Sequence, residues 1–463
     1  MSAEPSPVAA EIRATIAVAA PLAAANLAQM AMGITNTIMV GHLGATALAA
    51  AGLGAMLYYM LAMLCQGVLT AVAPLAAHAF GADDHPTAGR VAGAGLVLAA
   101  ALALPLMLIL TVAPGLFAAL GYEPGLAGEI GNYLRMIRWG APAFLGSAVL
   151  RFLLVAAFRT RVFMLVPLCA IPINAALNWV LVFGHLGMPA LGSAGSGCST
   201  AIVQWLMLLV LAGYMLTMPA RMPVRLALRV LSEIPRILRL GLPIGALLGL
   251  EVGLFGMTGI LMGLLGADAL GAHQLVLNAA SLTFMVPLGL GQAATVRVAY
   301  QLGLGLPVAA RRAAFVAVAL GAGFMCAMSL FLLLLPRTIA GAYVDPGDPA
   351  NAALLAIAVQ LFAIAALFQI FDGVQVIAVG ALRGYRDTAA PMLIAAVGYW
   401  AIGFAGSWLF AFPLGFGPVG LWLGLALGLA VVATSLTLRL RFRARAQLHT
   451  GEAPVFEPKE LPA

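Results

Sequence analysis

Glu251 and Asp372 are the residues whose type and placement could do chemistry. Each lies inside a long apolar stretch, GLPIGALLGLEVGLFG (241–256) and FDGVQVIAVGALRGYRDT (371–388), whereas the other acids fall in termini or short polar connections. An ionised side chain at the centre of a bilayer costs about 2.5–3.5 kcal/mol on insertion scales, so acids at that depth are rare and usually functional. Two of them in different segments make a candidate cation or proton site. Side chains one helical turn away share a face. For Asp372 these are Phe368, Gln369 and Gln375; for Glu251 they are Phe255, with Thr258 a turn further. In the eighth apolar segment Gln274, Asn278, Ser281 and Met285 recur at helical spacing as one stripe. Gathered together, these groups would offer two carboxylates, amide and hydroxyl oxygens, and ring faces. A proton, a sodium ion held by oxygens, or an organic cation held by charge and cation–π contact would suit such a pocket. Arg151 is the one basic residue clearly within a segment, and it is expected to reach toward Arg159. No basic partner for the acids is evident in the second half of the chain. His273 reads equally as a helix-start cap or as a protonatable group.

The elements that must carry these residues are set by composition. Soluble proteins hold about 25% charged residues. This chain of 463 residues holds 8%, with 63% hydrophobic residues and a mean hydropathy of +1.07. Its apolar runs repeatedly reach the ~20 residues that a helix needs to cross a hydrocarbon core. Barrel strands would alternate over short segments, which these runs do not. The expected fold class is therefore an all-α polytopic membrane protein. Spans are expected near 14–39, 46–79, 91–119, 133–157, 163–184, 197–218, 240–265, 272–297, 313–335, 352–381, 388–412 and 419–438.

The net charge of +7 does not point to nucleic acid, because the arginines collect in every second connection. One side receives Arg13, Arg90, Arg159, Arg161, the run Arg221 to Arg239, Arg311, Arg312, Arg383, Arg386 and Arg439 to Arg445; the loops of the other side hold only Arg337. Both termini are expected in the cytoplasm, and the acidic start MSAEPSPVAAEIR argues against a cleaved signal peptide. Cys65, Cys169, Cys198 and Cys326 lie in or beside apolar segments without metal-ligand spacing and read as packing residues. HExxH and GxSxG signatures are absent, so a membrane-embedded enzyme is a remote reading.

The chain is internally duplicated. GHLGATALAAAGL (41–53) resembles GLLGADALGAHQL (263–275) at an offset of 263 − 41 = 222, which also pairs Pro21 with Pro243, Gly81 with Gly303 and Arg90 with Arg312. Six spans per half give both halves the same orientation, related by a pseudo-two-fold axis along the membrane normal. The expected organisation is a first lobe over 1–218, a basic cytoplasmic linker over 219–239 read as an interfacial helix, a second lobe over 240–445 and a polar tail over 446–463. The basic connection would meet the headgroups of anionic membrane lipids. The offset places Gln29 opposite Glu251 (29 + 222 = 251). Further along the register drifts, FRTRVFMLVP (158–167) meeting LRGYRDTAAP (382–391) at 382 − 158 = 224, which places Ala148 opposite Asp372, so ion chemistry is expected in the second lobe. In the first lobe Gln29, Asn36, Asn174 and Asn178 are candidates to line the central cleft.

TNTIMVGHLG (35–44), NAALNWVLVFGHLGMPALGSAGSG (174–197), GAHQ (271–274), VRVAYQLG (296–303) and the two acid-bearing stretches together resemble the multidrug and toxic compound extrusion (MATE) family, NorM-type bacterial branch. The resemblance covers nearly the whole chain. It implies twelve transmembrane helices in two six-helix lobes, a bacterial inner (plasma) membrane location, and export of organic cations driven by inward sodium or proton flux. It also implies that Glu251 and Asp372 bind the coupling cation, with Na+ a candidate metal there. No other cofactor and a monomeric state are expected. Many members of this branch carry an Asp where this chain has Asn36, and members with a sodium site often have a Tyr where this chain has Phe368. A precursor flippase of the same superfamily is the alternative, for which a cleft lined by several arginines would be expected.

Overall fold

The computed structural model describes residues 7–217 and 228–450. Twelve helices among them are long and apolar enough to cross a membrane, matching the twelve expected spans in order. They are α1 (Pro7–Gly41), α2 (Ala45–Gly81), α3 (His85–Phe117), α4 (Pro124–Ala156), α5 (Thr160–Phe183) and α6 (Ser193–Leu216), then α7 (Val230–Leu264), α8 (Ala267–Gly303), α9 (Pro307–Leu334), α10 (Pro349–Gly384), α11 (Ala389–Ala411) and α12 (Gly417–Leu448). There is no strand among the described residues. Lipid offers no hydrogen-bond partners, so each segment satisfies its own backbone as a helix.

Most helices begin a turn or more before the expected spans, and this relocates several charges. Glu11 and Arg297, read from sequence as end groups, lie within α1 and α8 and are largely buried as an ion pair at 2.6 Å. Of the expected linker 219–239, residues 219–227 lie outside the described residues. A short 3-10 turn, Leu228–Glu233, then runs into the helix from Ile234. Residues 234–239 are therefore the start of α7, not an interfacial helix. The helix of α12 runs on through Thr450, so 446–450 continue it, and the rest of the expected tail lies outside the described residues.

The duplication is visible in the backbone. Gly44 and Gly266, 222 positions apart, precede α2 and α8 with φ of 108° and 119° and ψ of 173° and 168°. A side chain rarely tolerates that conformation, which accounts for glycine at both sites.

The two halves meet through mated pairs, α1 on α8 and α7 on α2. Small residues set this seam. A Cβ on Gly67 would stand 2.7 Å from the Cα of Gly245, and the mate of that contact puts a Cβ on Gly289 2.8 Å from the backbone nitrogen of Ala23. Gly81 and Gly303, themselves mates, touch backbone to backbone where the pseudo-axis passes, and a Cβ on either would overlap a carbonyl oxygen of the facing helix. All these contacts lie toward the arginine-rich ends of the helices. At the opposite ends, Gly33, Gly41, Gly44, Gly52 and Gly266 have no neighbour within 4 Å of a Cβ position. The seam between the halves is thus closed toward the arginine-rich face.

Candidate functional site

The two carboxylates come together. Glu251 on α7 and Asp372 on α10 accept from the same amide: Gln375 Nε2 donates to Glu251 Oε1 at 3.2 Å and to Asp372 Oδ1 at 3.4 Å. Gln375 lies one turn beyond Asp372 on α10, which is why the amide reaches its neighbour as well as across to α7. Asp372 is 8% and Gln375 1% exposed. The amide is itself fixed from behind, because Tyr399 Oη donates to Gln375 Oε1 at 2.8 Å. A hydrogen bond to an ionised acceptor is stronger than a neutral one. The fixed amide therefore aims its donors at both acids.

Tyr399 escapes the sequence reading. It belongs to a π-helical stretch, Val397–Phe404, inside α11. Such widened turns recur at functional sites because they re-aim consecutive side chains. Here Tyr399 reaches α10 while Trp400 Nε1 donates to the Leu250 carbonyl, next to Glu251 on α7, at 3.2 Å. Gly398 and Gly403 permit the stretch to lie against α12 near Gly428. The signal in the sequence is the Tyr–Trp pair between Gly398 and Gly403 inside an apolar span.

Phe368 is buried and packs edge-on against Phe255 on α7, with ring centroids 6.1 Å apart, and against Trp422 on α12 at 5.4 Å. These rings floor the site beside Asp372. Gln369 is turned away from the acids and accepts from Thr283 Oγ1 at 2.9 Å. His273 is neither a cap nor a free base: it is fully buried within α8, and Trp422 Nε1 donates to its Nδ1 at 3.2 Å. The polar stripe on α8 does not join the acid pair. Ser281 bonds back to Leu277 and Thr258 to Leu254 on their own helices, Gln274 is exposed, and Asn278 faces a cavity of the first half.

A basic neighbour for the acids does exist. Arg383 lies on α10, three turns beyond Asp372, within electrostatic reach of Glu251 and Tyr399, and its Nε is buried without a hydrogen-bond partner. The apolar pattern ends this span at 381 and leaves Arg383 in a connection, whereas the helix runs on to Gly384 and holds it in its last turn. Arg383 faces Glu251 at longer range and forms no ion pair with either acid.

In the first half a cavity of about 690 Å³ opens among α1, α2, α4, α5 and α6, with Asn278 from α8. Gln29, Asn36 and Asn174 line it. Asn178 sits behind them, fully buried, and donates to Asn36 Oδ1 at 2.7 Å and to the Asn174 carbonyl at 3.0 Å. Asn36 Nδ2 then donates to Thr200 Oγ1 at 3.1 Å. The amides are joined across three helices, so they bind helix to helix as well as lining the cavity. Arg151 also lines this cavity instead of reaching for the surface, with its Cζ 5.9 Å from the centre of the Phe163 ring.

Twelve apolar helices in two mated halves, with a buried acid pair in one half and a cavity in the other, define a polytopic membrane protein of the transporter class. The MatE family model matches the chain twice, over residues 21–180 and 243–409, and the second match starts 222 positions after the first. The chain belongs to the MatE family. It is 42% identical over 421 residues to "Probable multidrug resistance protein NorM" of Mesorhizobium japonicum, covering 90% of each chain. It is 43% identical over 414 residues to "Multidrug resistance protein NorM" of Burkholderia vietnamiensis, covering 89% of each. In structure it is similar to the eukaryotic MATE transporter AtDTX14, with a TM-score of 0.87 at 21% identity over 96% of this chain and 100% of that one.

Proposed function

We propose that the chain is a cation-coupled antiporter that exports amphipathic organic cations by alternating access, with sodium or protons as the driving ion. The observation that carries this is the Glu251–Gln375–Asp372 bridge, two acids from different helices sharing one amide in an apolar interior. The relatives named multidrug resistance proteins support drugs as the cargo. A proton or sodium ion entering between the acids would replace the shared amide donor and release α7 from α10. Because α7 also packs on α2 across the seam, a change at the acids is transmitted to the contact between halves. Coupling requires that ion and substrate each bind the two cleft orientations with different affinity. The positive-inside bias supports a bacterial plasma membrane with the arginine-rich face and both termini on its cytoplasmic side. The conformation described is then closed on the cytoplasmic side.

Efflux of a fluorescent organic cation from proteoliposomes, under separately imposed sodium and proton gradients, tests the proposal. Export is expected to follow one of them and to collapse when it is dissipated. Export at an equal rate with neither gradient would sink the coupling reading.

A further inference from the structure

We propose that the arginine-rich end of the second half binds one anionic phospholipid, whose phosphate is held by Arg311, Arg441 and Arg445. These three arginines and Phe315 line a hollow of about 320 Å³ between the start of α9 and the far end of α12. A second hollow of about 440 Å³ lies where α9 meets the start of α1, lined by Val8, Val308, Val316 and Ala319 together with Arg312. Arg311 and Phe315 belong to both hollows, so the two adjoin. Val8 and Val308 are 50% and 59% exposed, which leaves apolar surface open beside the arginines. No acid lines either hollow. Asp387, the acid that meets this end of α12, is taken by Arg439 at 2.9 Å and Arg443 at 3.8 Å. Arg441 and Arg445 are one turn apart on a different face of the same helix, the face that borders the hollow. No ion pair joins Arg311, Arg441 or Arg445 to an acid among the described residues. Arg311 lies within electrostatic reach of Tyr385, an uncharged phenol that does not balance it.

The pairing of the two hollows names the occupant. Guanidinium groups hold phosphate oxygens by charge-assisted and often bidentate hydrogen bonds. Basic pockets between transmembrane helices suit acidic lipid headgroups. The valine-lined hollow next door suits an acyl chain, which a free phosphate lacks. A zwitterionic lipid brings its own cation, which the arginines repel. The duplication offset puts Gly89 opposite Arg311 (311 − 222 = 89), so the first half lacks the residue that joins the two hollows. Val8 belongs to the first half and Val308 to the second, so a chain lying between them spans the seam at its closed end. The inference rests on the chain's place in a membrane and not on the transport reading.

The test is lipid retention by the detergent-purified full chain, titrated with phosphatidylglycerol and phosphatidylcholine of matched acyl chains and read by native mass spectrometry. One phosphatidylglycerol is expected to bind in preference to phosphatidylcholine. Arg311→Gln and Arg441→Gln should each weaken it by about tenfold, the scale of a lost charge-assisted bond. Arg311→Lys should recover part of the loss, because it keeps the charge but not the fork. Arg161→Gln, which removes an exposed arginine from the same face of the first half, should change binding by less than about twofold. Equal retention of the two lipids overturns the proposal. So does equal weakening by Arg161→Gln and Arg311→Gln, which would reduce the site to general surface charge. Displacement of the lipid by glycerol phosphate at equal concentration also overturns it, because the acyl hollow would then contribute nothing.

Discussion

Glu11 and Glu233 are mates at the duplication offset, and each reaches across the closed seam to an arginine of the other half. Glu11 on α1 pairs with Arg297 on α8 at 2.6 Å, and Glu233 at the start of α7 lies 3.7 Å from Arg90 on α3 while also pairing with Arg236 at 3.0 Å. The first clasp is the drier one, with side chains 8% and 12% exposed, and Thr15 Oγ1 also donates to Glu11 at 3.2 Å. Glu11→Gln keeps the shape and removes the charge, leaving Arg297 without a carboxylate in the closed seam. Stripping one partner from a fully buried pair costs about 3–5 kcal/mol; with the residual exposure here, about 2 kcal/mol is a fair expectation. If the clasp forms only when the arginine-rich ends meet, that loss falls on the closed state alone. At about 1.4 kcal/mol per tenfold, the open-to-closed ratio on that face should rise roughly 30-fold. Spin labels at Ala82→Cys and Leu304→Cys, in exposed turns of opposite halves, would read it in a background lacking the four native cysteines. A longer inter-label distance should grow in Glu11→Gln and recede in Glu11→Gln/Arg297→Gln, where no charge is stranded. An unchanged distance distribution in the single variant, with the fold intact, would refute the idea that this pair holds the seam.

Tyr399→Phe removes the donor that fixes Gln375, a loss of about 1 kcal/mol, and should weaken the apparent affinity for the driving ion several-fold in ion-dependent export assays. Gly241→Ala would drive a Cβ into the carbonyl of Val68, so melting of the detergent-purified protein should drop by the equivalent of about 1–3 kcal/mol. Gly213→Ala, with no neighbour within 4 Å, is the control and should leave the melting temperature nearly unchanged. Trp422→Phe leaves His273 Nδ1 without its donor in a buried position, and thermal unfolding should report a loss of about 1–3 kcal/mol.

The span count and order are legible in the sequence because hydrophobic length and glycine punctuation act locally. The acid pair is legible for the same reason, since two carboxylates in apolar runs stand out whatever surrounds them. Their surroundings are not. Tyr399 reaches Gln375 only because a π-helical turn rotates it, and no local pattern announces which neighbour a rotated ring will meet. Arg383 reads as a connection residue, and Arg297 as the last residue of its span, because a helix can run past the hydrocarbon edge and carry charge with it. Arg297 then finds Glu11, a residue 286 positions away. The stripe on α8 fails for a related reason: spacing fixes a face, but not what that face looks at. Ser281 spends its hydroxyl on its own helix, and Asn278 serves the other half's cavity.

Gradient-driven export by Glu251→Gln and Asp372→Asn in proteoliposomes, set beside dye binding by the same preparations, tests the central claim most directly. The account predicts that each variant still binds the dye measurably while export no longer follows the imposed ion gradient. Full gradient-driven export by both single variants would contradict it.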